Sequence, residues 1–145
     1  KVSSRGNVRK FSLDIARAYR KGTDCSSWIR EYKITDKQLI ITDMYQLISR
    51  NAADVENFLV QGEVYMTGEI LANGYMVKEG EVVVENQGVA FRLVYPEVMT
   101  PSVTVKELDD PRLSNVWGTS LKRISFTGLE SAPLNGKYIF KISEL

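Results

Sequence analysis

Residues 81–95 read Glu-Val-Val-Val-Glu-Asn-Gln-Gly-Val-Ala-Phe-Arg-Leu-Val-Tyr, and this stretch decides the fold class. Two runs rich in β-branched and aromatic residues flank the polar segment 85–88, whose Asn, Gln and Gly are typical of a turn. After the turn, Val89, Phe91, Leu93 and Tyr95 recur with a period of two and therefore share one face. The pattern predicts half-buried antiparallel strands.

Similar runs recur along the chain, whereas helical periodicity is hard to find. Asn73-Gly74 is the strongest hairpin signal, because a type I′ turn needs positive φ at both central positions, and Asn135-Gly136 is a further turn candidate. The sequence predicts an all-β, antiparallel two-sheet β-sandwich of about ten strands with little helix. The other predicted strands are Trp28 to Ile34, Gln38 to Asp43, Val55 to Met66, Val103 to Glu107, Leu121 to Thr127 and Lys137 to Ile142.

Several local interpretations follow from this pattern. Leu39-Ile40-Ile41 is apolar on both faces, which predicts an inner strand covered on two sides. Helix could form at 14–20 and 44–58, but the alternation of 11–15 favours a strand followed by a turn for the first. The prolines between residues 96 and 111 mark the place where a subdomain joint could fall; we otherwise expect a single domain spanning residues 1–145.

Composition excludes several kinds of chemistry. The chain has 145 residues, no His and a single Cys, Cys25, so it can form neither a Cys/His metal site nor an internal disulfide. Its 19 basic and 18 acidic residues nearly cancel, and no stretch is long and apolar enough for a membrane helix. No catalytic, metal-binding or phosphate-binding motif is visible. We therefore expect no cofactor, no metal, and neither nucleic acid nor a membrane as partner.

Two short segments are candidates for substrate contact. Trp28 and Arg30 project from one face of a predicted strand and could stack a sugar ring and pair with a carboxylate or sulfate. The alternative is that Trp28 lies in the core and Arg30 satisfies a buried carboxylate, which is the commoner use of such residues. Tyr19 and Arg20 belong to the densest basic stretch, which could form a local anion site or a solvated turn. Trp117 is interpreted as a plug that closes one end of the core.

Several short segments follow one another in a distinctive order. Phe-Ser-Leu-Asp-Ile-Ala-Arg-Ala-Tyr at 11–19 is followed by Trp-Ile-Arg at 28–30 and by Leu-Ile-Ile-Thr-Asp at 39–43. This order resembles that of the heparinase II/III-type polysaccharide lyases, in which an Asp-x-(small)-x-Ala-Tyr segment precedes a strand that carries an Arg, and the next strand ends in Ile/Val-Ile-x-Asp. The run 113–124, with Trp-Gly and Arg-Ile, is similar to a stretch near the C-terminus of bacterial members.

The resemblance implies a function for a larger protein. Such lyases join an N-terminal α/α toroid to a C-terminal β-sandwich region and cleave uronic-acid-containing polysaccharides by β-elimination, with a Tyr or a His removing the C5 proton. The family's catalytic residues lie upstream of the matched segments, so no catalytic residue carries over. We expect a non-catalytic sandwich, inactive alone, that supports the toroid of a periplasmic or extracellular lyase and contributes to its cleft for acidic polysaccharide. The alternatives are an autonomous carbohydrate-binding module and a generic β-sandwich interaction module.

Overall fold

The computed structural model describes residues 1–18, 24–49, 55–61, 63–66, 80–129 and 132–145. This part of the chain contains eleven strands, one short 3-10 helix at Ala16–Ala18 and one α-helix, α1, at Pro111–Trp117. The strands are β1 Val2–Arg5, β2 Val8–Asp14, β3 Cys25–Ile34, β4 Gln38–Leu47, β5 Val55–Val60, β6 Glu63–Met66, β7 Glu81–Asn86, β8 Val89–Val94, β9 Met99–Glu107, β10 Ser120–Gly128 and β11 Asn135–Glu144.

The strands form two antiparallel sheets, which confirms the predicted fold class. The large sheet has the order β1-β2-β3-β4-β11-β8-β7-β6, and the small sheet has the order β5-β10-β9. β4 lies between β3 and β11, so the run Leu39-Ile40-Ile41 is an inner strand as predicted. None of the described helices is long and apolar enough to cross a membrane.

The turn between β7 and β8 confirms the interpretation of residues 85–88. Asn86 pairs with Val89, which leaves Gln87 and Gly88 as a two-residue loop. Their φ angles are 52° and 80°, the positive values that a type I′ turn requires. Asn73-Gly74 lies outside the described residues.

The core lies between the two sheets and is rich in aromatic rings. Phe126 of β10 in the small sheet packs against Phe140 of β11 in the large sheet, with ring centroids 5.2 Å apart, and Phe58 of β5 lies 5.3 Å from Phe140. Ile124, Phe126, Tyr138 and Phe140 are completely buried. Burying such rings between the sheets is the main stabilising contribution in a domain of this kind.

Three local predictions are wrong. Residues 55–66 form two strands in different sheets, because β5 pairs with β10 whereas β6 pairs with β7. Asn135-Gly136 is the start of β11 and not a turn; Gly136 faces Tyr45, whose Oη would lie 3.0 Å from a Cβ at that position. Residues 44–47 continue β4, so no helix begins at Met44.

The strand after residue 96 is longer than predicted, because β9 begins at Met99 and not at Val103. Pro101 lies inside β9, where it pairs with Phe126 of β10. β9 is an edge strand, and a residue without an N–H is tolerated at such an edge. The chain then enters α1, whose first residue is Pro111 and whose N-cap is Asp110. In contrast, residues 8–18 form a strand followed by a 3-10 turn, as the alternation of 11–15 predicted.

Candidate functional site

Trp28, Arg30 and Asp43 form one hydrogen-bonded cluster on the inner side of the large sheet. The register of β3 and β4 places Arg30 opposite Asp43. Arg30 Nε and Nη2 each donate to a different carboxylate oxygen of Asp43 at 2.8 Å, and Trp28 Nε1 donates to Asp43 Oδ1 at 3.1 Å. This two-pronged geometry is the strongest form of an Arg–carboxylate pair. The completely buried Asp43 carboxylate is therefore satisfied by three donors.

The same guanidinium reaches the small sheet. Arg30 Nη2 also donates to Glu56 Oε2 of β5 at 2.5 Å, and Glu56 is itself buried. Desolvation by burial would lower the pKa of Arg30, but the hydrogen bond to Asp43 and the charges of Glu56 and Asp43 outweigh it, so the pKa lies above its usual range. Arg30 is therefore a permanent cation that bridges the two sheets.

The surroundings of Trp28 are those of a core residue. Its ring centroid lies 5.6 Å from that of Tyr45 and 6.4 Å from that of Tyr138. Of the four candidate contact residues, Trp28 and Arg30 lie together and both donate hydrogen bonds to Asp43. This arrangement agrees with the alternative that Trp28 lies in the core and Arg30 satisfies a buried carboxylate. Substrate contact by either residue stays a prediction. Tyr19 and Arg20 lie outside the described residues.

A groove of about 710 Å³ opens at one end of the space between the sheets. Its walls are mostly apolar, with Gln61 and Asn86 as the polar side chains; the apolar walls include Phe58, Phe91, Leu93, Leu113, Trp117 and Ile142. Half of the Trp117 surface is exposed, so the residue lines an open groove and does not plug the core. A concave apolar surface that carries a few polar groups is typical of a ligand site.

Trp117 is held in place by α1 and by β5. Asp110 accepts a hydrogen bond from Arg112 N at 2.9 Å, which caps the first turn of the helix. Gln61 Nε2 donates to the carbonyl oxygen of Trp117 at 2.5 Å and ties the last residue of α1 to the end of β5. None of the helix residues is buried, so α1 presents Leu113 and Trp117 to the groove and other side chains to solvent.

Neither α1 nor the groove was predicted from the sequence. An Asp at 110 followed by Pro at 111, with Gly at 118, is the usual signature of a helix start and end, and it could have identified α1. Nothing local could have identified the groove, because its walls come from several strands as well as α1. Across the described residues, no group of three or more His, Cys, Asp or Glu side chains could hold a metal ion.

Comparison with known structures identifies a similar fold. A solved structure titled as a heparinase III gene product with methylated lysines matches with a TM-score of 0.62 and 15% sequence identity. The match covers 97% of this chain and 20% of that chain. The fold is similar to that of a region that makes up one fifth of that heparinase III chain. No protein-family model matches the sequence, and no curated protein matches it.

The similarity covers the whole sandwich and not one motif. At 97% coverage, both sheets and α1 fall within the matched region of this chain. This chain spans about a fifth of the length of the heparinase III chain that it matches. What the two proteins share is therefore the architecture of one region of a larger protein.

Proposed function

We propose that this chain is the non-catalytic β-sandwich region of a heparinase II/III-like lyase that degrades uronic-acid-containing polysaccharides by β-elimination. The observation that carries the proposal is the structural match between nearly all of this chain and one fifth of a heparinase III. In this account the sandwich supports the α/α toroid of its parent chain and forms one wall of the substrate cleft. The parent acts on acidic polysaccharide in the periplasm or outside the cell.

Two further observations favour a non-catalytic, structural role for the chain. It has no His, so a His base for β-elimination would have to come from elsewhere in the parent. In addition, Arg30 and Asp43, which belong to two of the segments that resemble the lyase family, form the buried ion pair of the core. Those segments therefore have a role in holding the sandwich together, which a non-catalytic region requires.

The proposal predicts that the 145-residue chain is inactive alone. The experiment incubates the purified chain with heparan sulfate, alginate and related polymers and follows the ultraviolet absorbance of the unsaturated uronate that β-elimination creates. We expect no increase above the buffer control. Release of unsaturated products by the chain itself would refute the non-catalytic assignment, because it would require a base among Tyr, Lys or carboxylate residues.

The gene context gives a second test. The coding sequence before Lys1 should encode on the order of 300 or more helix-patterned residues that include His and Tyr, as a toroid requires. A coding sequence without such a region would favour a generic β-sandwich interaction module.

A second candidate function, an autonomous carbohydrate-binding module, is favoured by the exposure of Trp117. Aromatic rings at the mouth of a groove can stack sugar rings, and Trp117 is half-exposed whereas Trp28 is buried. Titration with acidic glycans should then quench Trp117 fluorescence and leave the buried Trp28 unchanged. Trp117→Phe is the control, because it removes the quenched signal and keeps an aromatic ring. Absence of quenching in the native chain would dismiss this candidate.

A further inference from the structure

The side of the small sheet that faces away from the core is polar. Ile124 and Phe126 of β10 point into the core, so Arg123 and Ser125, which alternate with them, project from the opposite side. The register of β5 and β9 on β10 aligns further residues with these two. We call this surface the hydroxyl face; its polar residues are Asn57, Thr100, Ser102, Thr104, Lys106, Arg123, Ser125 and Thr127.

Arg123 is an unusual cation. Its Nε is buried and has no hydrogen-bond partner, and none of the ion pairs among the described residues includes it. The contrast with Arg30 and Arg112 is clear, because each of those guanidinium groups pairs with a carboxylate through two hydrogen bonds. A partly buried charge without a partner is costly, and a bound anion would remove this cost.

The charge of the hydroxyl face has one sign. Its eight polar residues include two cations, Arg123 and Lys106, and no Asp or Glu. This local excess stands out because the whole chain carries a formal net charge of only +1. An anionic ligand would therefore be attracted to this surface without repulsion from a carboxylate on the same face.

The neighbours of Arg123 provide hydrogen-bonding groups. Thr104 lies directly opposite Arg123 on the edge strand β9, and Ser102 lies opposite Ser125; both Thr104 and Ser102 are exposed. Ser125 Oγ donates to Asn57 Oδ1 at 2.8 Å. That bond uses the amide oxygen of the exposed Asn57 and does not engage its Nδ2 donors. Hydroxyl and amide groups around a guanidinium suit a ligand that carries both an anionic group and many hydroxyls.

We propose that the hydroxyl face is a binding site for the carboxylate or sulfate group of an acidic sugar, with Arg123 as the residue that pairs with the anion. The planar guanidinium matches the two oxygens of either group, and Thr104 and Ser102 lie where they can bond the neighbouring sugar hydroxyls. The choice of a polysaccharide as ligand rests on the proposed function. The presence of an anion site on this face does not depend on the proposed function.

The experiment measures binding of size-defined oligosaccharides to the 145-residue chain by titration calorimetry. Hyaluronan fragments carry carboxylates only, heparin fragments carry carboxylates and sulfates, and dextran fragments carry neither. We expect binding of at least one acidic fragment and none of dextran. Arg123→Gln should weaken that binding on the order of tenfold, as expected for loss of one hydrogen-bonded charge. Arg112→Gln removes the same charge from α1 and should leave the affinity unchanged.

A second variant keeps the test decisive if Arg123→Gln fails to fold. Thr104→Glu places a carboxylate directly opposite Arg123, so it should abolish binding while leaving the unfolding midpoint unchanged or higher. The proposal is overturned if the native chain binds neither acidic fragment, or if Arg123→Gln and Thr104→Glu both bind the fragments as tightly as the native chain does. It is also overturned if a single-stranded DNA of equal charge binds the native chain as tightly as the acidic fragments do. Absence of lyase activity in the parent protein, together with Arg123-dependent binding, would refute only the proposed function.

Discussion

Arg30 Nη2 lies 2.5 Å from Glu56 Oε2, and this contact joins β3 of the large sheet to β5 of the small sheet. The same guanidinium pairs with Asp43 of β4, so a single cation contacts two buried carboxylates. A buried ion pair adds little stability compared with apolar residues, but removal of one member leaves the others buried without compensation. Arg30 is therefore a residue whose loss should weaken the contact between the sheets.

Arg30→Met should destabilise the chain strongly. The variant keeps most of the side-chain volume but removes the cation that contacts both Asp43 and Glu56, and we expect a loss of about 3 kcal/mol in the free energy of unfolding. Urea denaturation followed by circular dichroism measures this loss. Arg112→Met is the matched control, because Arg112 pairs with Asp110 on the surface and its loss should lower the midpoint much less. Equal midpoints for the two variants would contradict the proposed role of Arg30.

Gly136→Val should also destabilise the chain. A Cβ at this position would lie 3.0 Å from Tyr45 Oη, and Tyr45 is held by its hydrogen bond to the Pro133 carbonyl oxygen and by stacking on Tyr138. The ring therefore has little room to move, and we expect a cost of about 1–3 kcal/mol. Lys137→Val introduces the same side chain at the next, outward-facing position of β11 and should have little effect. Thermal unfolding of both variants decides the matter; an equally stable Gly136→Val chain would show that the ring is free to move.

The cap of α1 should weaken in acid. The hydrogen bond from the Arg112 side chain, followed by that from its backbone N–H, lowers the pKa of Asp110 below its usual value. A carboxyl whose pKa is lower in the folded state contributes stability above its unfolded pKa and loses it as the pH falls through the folded pKa. The native chain should therefore have a higher unfolding midpoint than Asp110→Asn at neutral pH, and the difference should vanish at strongly acidic pH. In Arg112→Gln the corresponding difference should vanish at a higher pH. A difference that did not change with pH would contradict this account of the cap.

Strand alternation predicted the faces of the sheets but not where the core ends. Val89, Phe91 and Leu93 share one face of β8, as their spacing predicted. Only Leu93 is buried, whereas Val89 and Phe91 are exposed, although Phe91 and Leu93 both line the groove. How deeply each position is buried depends on contacts between distant segments, and no local period records it.

Partners distant in sequence account for most of what the sequence could not predict. Arg30 was expected to satisfy a buried carboxylate if it lay in the core, but its partners are 13 and 26 residues away. The turn chemistry of Asn135-Gly136 was outweighed by the pairing of Gly136 with Tyr45 in β11. Residues 55–66 have the sequence pattern of a single strand, although β5 and β6 belong to different sheets. In each case a tertiary contact overrode a local preference.

The most direct test of the central claim is lyase activity of the natural gene product that contains residues 1–145, measured as release of unsaturated uronate from acidic polysaccharides. The proposed function predicts product from the intact protein and a loss of activity when the β-sandwich is deleted or carries Arg30→Met. It also predicts no product from residues 1–145 alone. An intact gene product that releases no unsaturated uronate from any uronic-acid-containing polysaccharide, while remaining folded, would contradict the assignment.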